Sequence, residues 1–198
     1  MQSSLTALGV SFVKKDDDVI VKGGVSRLAP FSKEIYVGDS GTSLRLLTPF
    51  SALIKGKTVL NGSERLKERP MTDLLSAVSF AGINAVSKNN NGCAPIVIDG
   101  RGVIKGGAVR LSGEVSSQYA SALLVSAPYA LNDMEVSIDG DLVSKPYVDM
   151  TLDIMKDFGA RVEREGYKRF FVKAGVHYQA REFTIEGDYS SASYFFAA

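Results

Sequence analysis

Two kinds of glycine-marked junction recur along this chain at nearly constant spacing, and together they confine it to a repeat architecture. In the first, a strand-like stretch ends in glycine, a polar turn follows and an apolar helix begins: VGDSGTSLRLLTPFSAL from Val37, LSGEVSSQYASALLVSA from Leu111 and IEGDYSSASYFFAA from Ile185. Gly38, Gly113 and Gly187 lie 75 and 74 residues apart. In the second, a helix ends at glycine and leads into a strand: LTALGVSFV, LLSAVSFAGINAV and LDIMKDFGARVE, with Gly9, Gly82 and Gly159 at intervals of 73 and 77. Glycine suits those ends because helices often stop on a left-handed residue that a side chain disfavours.

Between the two junctions lie a strand and a polar turn, KTVLNGSERLKERP in one copy and MEVSIDGDLVSKPYVD in the next. Pro70 and Pro146 fall near the first helical position, where proline forfeits no hydrogen bond. Each copy closes on a strand pair: INAVSKNN with APIVIDG, and RVEREG with RFFVKAG; VSFVKKDD with VIVKG near the start is a further pair. Each repeat therefore reads β-α-β-α-β-β, in the mixed α/β (α+β) class. The spacing predicts units over about 35–108 and 109–182, with a third made from 183–198 joined with 1–24. We expect one lobe over 1–198 with its termini close together. Both ends read as cut within helices, Leu5, Leu8 and Val10 closing one and SSASYFFAA opening the other.

At 198 residues and 45% hydrophobic composition the chain can bury a sizeable core. Lys plus Arg is 23 and Asp plus Glu 22, so no net field draws it to nucleic acid or a membrane surface, and local clusters must supply any anion binding. One cysteine, Cys93, excludes an internal disulfide, and one histidine, His177, leaves no His/Cys constellation for zinc. No apolar run approaches the ~20 residues of a membrane span, and the opening residues lack a signal-peptide pattern. A cytoplasmic location is expected.

Each unit places a polar turn at a helix N-terminus, where free amides and the helix dipole favour an anion. Thr42 and Arg45 are three apart and reach the same side of the first turn of their helix. Lys67 and Arg69 precede the next helix, and Ser144, Lys145 and Tyr147 hold the matching place in the following copy. Arginine forks suit carboxylate or phosphate oxygens, so a small polyanion is the natural ligand class. Each feature also has a plain structural reading: Ser116, Ser144 and Ser190 as helix caps, Arg65, Lys67 and Arg69 as a solvated turn paired with Glu64 and Glu68, and Asp188 as a turn residue binding backbone amides. His177 reads as a surface residue near Tyr178. GDSGT is more specific, since two glycines bracket a helix start where the backbone must approach something closely or turn left-handed. A Walker phosphate loop and a GxSxG nucleophile elbow are both absent.

At these residues the chain resembles the 5-enolpyruvylshikimate-3-phosphate (EPSP) synthase family of enolpyruvyl transferases. The stretches GDSGTSLRLL, GSERLKERPM, GEVSSQYASALL, GDLVSKPYVDMTLDIMKDFG and IEGDYSSASYFFAA carry the resemblance over essentially the whole length. It implies an inverse α/β barrel fold, in which two lobes of three βαβαββ units close on shikimate 3-phosphate and phosphoenolpyruvate and release phosphate. It implies no metal or organic cofactor, and we expect a monomer.

Carried over residue by residue, the resemblance makes Ser116, Ser117, Gln118, Ser144 and Tyr147 contacts to shikimate 3-phosphate. It makes Gly41, Thr42, Arg45, Arg69 and Gln118 contacts to phosphoenolpyruvate, with glyphosate at the same loop. Two positions depart from the family pattern. Asp39 stands where asparagine is common, and Leu46 follows Arg45 where many members have proline, which bears on inhibitor sensitivity. The acid/base aspartate and lysine of the second lobe have no counterpart, so the expectation is a first-lobe fragment that binds shikimate 3-phosphate without turnover. The alternative is a non-catalytic binding or scaffold module from the same family.

Overall fold

The computed structural model describes residues 1–31 and 33–188, together with Ala192 and Phe196. Two units repeat the same plan. In the first, β3 (Ile35–Tyr36), α2 (Gly41–Phe50), β4 (Lys55–Asn61), α3 (Thr72–Phe80), β5 (Asn84–Ser87) and β6 (Ile96–Arg101) follow one another. In the second the series is β7 (Gly107–Ser112), α4 (Ser117–Ser126), β8 (Met134–Asp139), α5 (Lys145–Asp157), β9 (Val162–Glu165) and β10 (Arg169–Val172). The sheets have matching orders, β3-β4-β6-β5 and β7-β8-β10-β9. In each, the first two strands are parallel, bridged by a helix, and the others antiparallel. Parallel neighbours need such a crossover, whereas the closing pairs need only a turn.

Strand alternation turns one sheet face inward. Ile96 and Ile98 of β6 and Val136 and Ile138 of β8 are buried, while Asp99 and Asp139 on the same strands are exposed. Against these faces lie the helices, α2 packed on α4, α4 on α5, and α3 on β7. The α4 helix is buried almost all round, through Tyr119, Ala120, Ala122, Leu123 and Leu124, as its uniformly small and apolar sequence requires. Gly9, Gly82 and Gly159, which end the helices as expected, all have positive φ (100°, 78° and 91°).

Before the first unit come α1 (Gln2–Ala7), β1 (Ser11–Lys15) and β2 (Asp18–Lys22), the helix–strand–strand close of another copy. Here expectation and structure part. Residues 173–188 contain no strand, and Ile185, expected to lie on one, is 87% exposed. Among the described residues β1 and β2 pair with each other alone, and this segment does not join their ladder. Ser190 and most of the helix expected after it lie outside the described residues. Pro70 also sits differently, two residues before α3, which starts at Thr72 after Met71. Among the described residues, no helix is long and apolar enough to cross a membrane.

Candidate functional site

Helix starts bring the polar residues together. Ser40 caps α2, its Oγ accepting from the Ser43 amide at 3.1 Å. Ser116 caps α4, its Oγ accepting from the Gln118 amide at 3.3 Å. Because α2 and α4 pack together, Gln118 at the start of one reaches both polar side chains at the start of the other. Arg45 Nη1 donates to Gln118 Oε1 at 2.6 Å, and Gln118 Nε2 donates to Thr42 Oγ1 at 3.1 Å. The single amide thus fixes the guanidinium and the hydroxyl in one arrangement.

A second arginine arrives from the loop before α3. A methyl group placed on Gly41 would lie 3.0 Å from Arg69 Nη1 and 3.5 Å from Arg45 Nη1, so both guanidinium groups stand over that glycine. Arg45 Nε is buried with no hydrogen-bond partner among the described residues. Like charges crowded at a helix start, one with an unsatisfied donor, form a ready receptor for phosphate or carboxylate oxygens.

Tyr119, which the sequence reading left in the apolar run of α4, holds this corner together. Its hydroxyl donates to Pro70 O at 2.7 Å, tying α4 to the Arg69 loop, and its ring lies 5.2 Å from the Arg45 guanidinium carbon. Burial pushes the phenol pKa up, with Arg45 opposing, so it stays a donor at neutral pH. A further tie joins the loops before α2 and α3: Ser63 Oγ donates to Asp39 Oδ1 and the Ser63 amide donates to Gly38 O at 3.1 Å. Nothing in spacing alone could reveal either contact. A tyrosine directly after a serine–glutamine cap, too polar at its tip for a plain core position, was the available signal.

Next to this corner a pocket of about 240 Å³ is lined by Val115, Ser116, Ser117, Gln118, Val143, Ser144 and Tyr147. All five residues expected at a shikimate 3-phosphate site therefore border one hollow, and Gln118 belongs to both it and the arginine corner. Ser144 differs from a simple cap: it precedes α5 in left-handed conformation (φ 54°, ψ 44°) and makes no side-chain capping bond. Lys67 turns away, its Nζ 2.6 Å from Glu64 Oε1 on the exposed turn. His177 is exposed, 5.2 Å from the Tyr129 ring. A larger hollow, about 680 Å³, lies between α5 and β9 away from these residues. Its charges are of both signs, and Arg164 is already paired with Asp149.

Similarity to known proteins runs along the whole chain. The family model for EPSP synthase (3-phosphoshikimate 1-carboxyvinyltransferase) matches residues 1–198. The 3-phosphoshikimate 1-carboxyvinyltransferase of Sulfurovum sp. (strain NBC37-1) is 45% identical over 207 residues, covering 100% of this chain and 47% of the relative. That of Haemophilus influenzae (strain PittEE) is 43% identical with the same coverage. Among solved structures, EPSP synthase from Acinetobacter baumannii superposes with a TM-score of 0.83 at 26% identity, over 97% of this chain and 42% of that one. The chain spans about half the length of the curated relatives it matches.

Proposed function

The chain belongs to the EPSP synthase family, and on that premise we propose that it is the first lobe of a 3-phosphoshikimate 1-carboxyvinyltransferase, binding shikimate 3-phosphate in the serine-lined pocket and phosphoenolpyruvate at the arginine corner. The observation that carries the reading is the convergence of Arg45 and Arg69 over Gly41, joined through Gln118 to the pocket of Ser116, Ser117, Ser144 and Tyr147. A phosphorylated ring in that pocket and a small dianion against the arginines would meet at Gln118.

A ring hydroxyl of shikimate 3-phosphate adds its oxygen to C2 of phosphoenolpyruvate and gives its proton to a base, while an acid protonates the methylene carbon. The tetrahedral intermediate then expels phosphate as a proton leaves the new methyl group. This chain's part is to hold two anionic substrates in contact and to balance charge on the leaving phosphate. The acid and base belong to the second lobe, which the proposal makes the partner of this one; the lobe alone should not turn over. Small molecules are the ligands, with no nucleic acid or membrane, and one copy suffices. The matching sheet orders support units over 35–108 and 109–182. The third unit of the same proposal joins 183–198 with 1–24, and α1, β1 and β2 supply its helix–strand–strand close.

Titrating the ¹⁵N-labelled chain with shikimate 3-phosphate should shift the Ser117 amide, and adding phosphoenolpyruvate should shift that of Arg69. No shift at millimolar ligand would sink the reading. Supplying the second lobe in trans should restore phosphate release; release that stays at background while binding persists would mark a binding or scaffold module instead.

A further inference from the structure

Ser144 poses a problem of support. It borders the pocket in a left-handed conformation, costly for a side-chain-bearing residue and maintained only where surroundings impose it. Its own side chain makes no capping bond. The support comes from outside the pocket, from the turn between β9 and β10.

Two residues of that turn grip the chain on either side of Ser144. Before it, Lys168 Nζ donates to Gly140 O and stands 3.5 Å from Asp141 Oδ1, while Lys168 O accepts from the Ile138 amide at 2.8 Å. After it, the Tyr167 hydroxyl donates to Asp149 Oδ2 at 2.6 Å, with Arg164 Nη1 on Oδ1 at 2.5 Å. Lys145, next to Ser144 and four residues before Asp149, places its Nζ 5.3 Å from the Tyr167 ring centroid. Thus one turn fixes both the loop entering Ser144 and the first turn of the helix leaving it.

The first unit repeats the arrangement with different chemistry. There the turn between β5 and β6 reaches the start of α3, the Gly92 carbonyl accepting from the Met71 amide at 2.8 Å. Gly92 has φ 73°, and a methyl group on it would fall 2.2 Å from Thr72 Oγ1. In that unit the braced loop carries Arg69. Two turns unlike in sequence make the same contact, each behind a loop that presents a site residue.

We propose that Tyr167 and Lys168 are positioning residues for the shikimate 3-phosphate pocket, bracing the loop 140–145 so that Ser144 and Tyr147 face the ligand. The proposal rests on the functional reading above for its ligand but not for its mechanics, and the test separates the two. In the ¹⁵N-labelled chain without ligand, Tyr167→Phe and Lys168→Ala should each speed hydrogen exchange at the Val143 and Tyr147 amides, which donate to Gly113 O and Ser144 O. Rates at the Ser43 and Tyr119 amides should not change. Unchanged rates at Val143 and Tyr147, or equal acceleration throughout, would overturn the brace.

With shikimate 3-phosphate as probe, Tyr167→Phe should weaken binding roughly tenfold, equivalent to ~1.4 kcal/mol, and leave the affinity for phosphoenolpyruvate alone unchanged. Equal affinities of wild type and variant for shikimate 3-phosphate, or equal loss for both ligands, would overturn the positioning role. If the wild type itself fails to bind, the functional reading fails, and the exchange rates still decide the brace.

Discussion

Gly41 is buried at the first position of α2 with both arginine heads above it, and its φ is not positive. Alanine is therefore sterically allowed by the backbone, and helix propensity favours it by up to ~1 kcal/mol. The new methyl would stand 3.0 Å from Arg69 Nη1, a contact the flexible guanidinium can relieve only by withdrawing from the corner. Gly41→Ala should then leave the melting temperature equal or higher while weakening phosphoenolpyruvate binding roughly tenfold, ~1.4 kcal/mol. Calorimetric titration beside a thermal melt checks both halves. An equal drop in stability and affinity would mean that the glycine serves folding instead. Such residue-scale roles were only half legible in sequence. GDSGT marked a close approach, but that Arg69 makes it depends on a loop returning from 28 positions downstream, which no local pattern encodes. Asp39 was visible as an extra charge beside the corner, whereas its acceptance of the Ser63 hydroxyl was not.

At the scale of elements, the helices and closing strand pairs were readable because each carries its own period and its own glycine or turn residue. What could not be read was attachment. Ser144 occupies the same place before its helix that Ser116 does, yet only Ser116 caps: Ser116 has the extended backbone a capping side chain uses, whereas Ser144 is left-handed. The attachment of α5 has a pH signature. Asp149 faces Tyr167 and Arg164, with Lys145 over the same tyrosine ring. The hydrogen bond from Tyr167, and then that from Arg164, hold its carboxyl below the ordinary value of 3.8. A group with a lowered native pKa favours folding fully above its unfolded value and loses that contribution as pH falls through the native one. The stability gap between wild type and Asp149→Asn should therefore be constant above 3.8 and close below it. Urea unfolding at a series of pH values measures the gap. A gap that persists undiminished at acid pH would mean that packing of α5, and not the ionised carboxylate, sets it. The size will be modest, since the pair is partly exposed and screened by solvent.

The whole molecule is unevenly supported, and its repeat makes the unevenness measurable. In both complete units the closing pair is extended by a second strand, β4 against β6 and β8 against β10, and one face is covered by helices. Among the described residues the pair β1–β2 has no such neighbour, and Val13, Val19, Ile20 and Val21 are 45%, 55%, 45% and 57% exposed. A two-stranded hairpin is marginal in water by itself. Isoleucines at comparable places, each on the second strand of a closing pair, should thus differ sharply. Ile98 on β6 is fully buried, so Ile98→Ala removes apolar burial and leaves a cavity, at a cost of about 2–5 kcal/mol. Ile20 on β2 is an exposed residue of the hairpin, so Ile20→Ala should change global stability by less than ~0.5 kcal/mol. Against a typical total of ~5–15 kcal/mol the first is a large fraction and the second is not. Urea midpoints for the two variants give the comparison directly, and amide exchange supplies its mechanism: residues 11–22 should exchange by local opening while β6 and β8 exchange only with global unfolding. If Ile20→Ala cost as much as Ile98→Ala, the hairpin would have to be packed against the rest of the lobe in solution, and the two-unit core described above would be too small a description of what folds cooperatively.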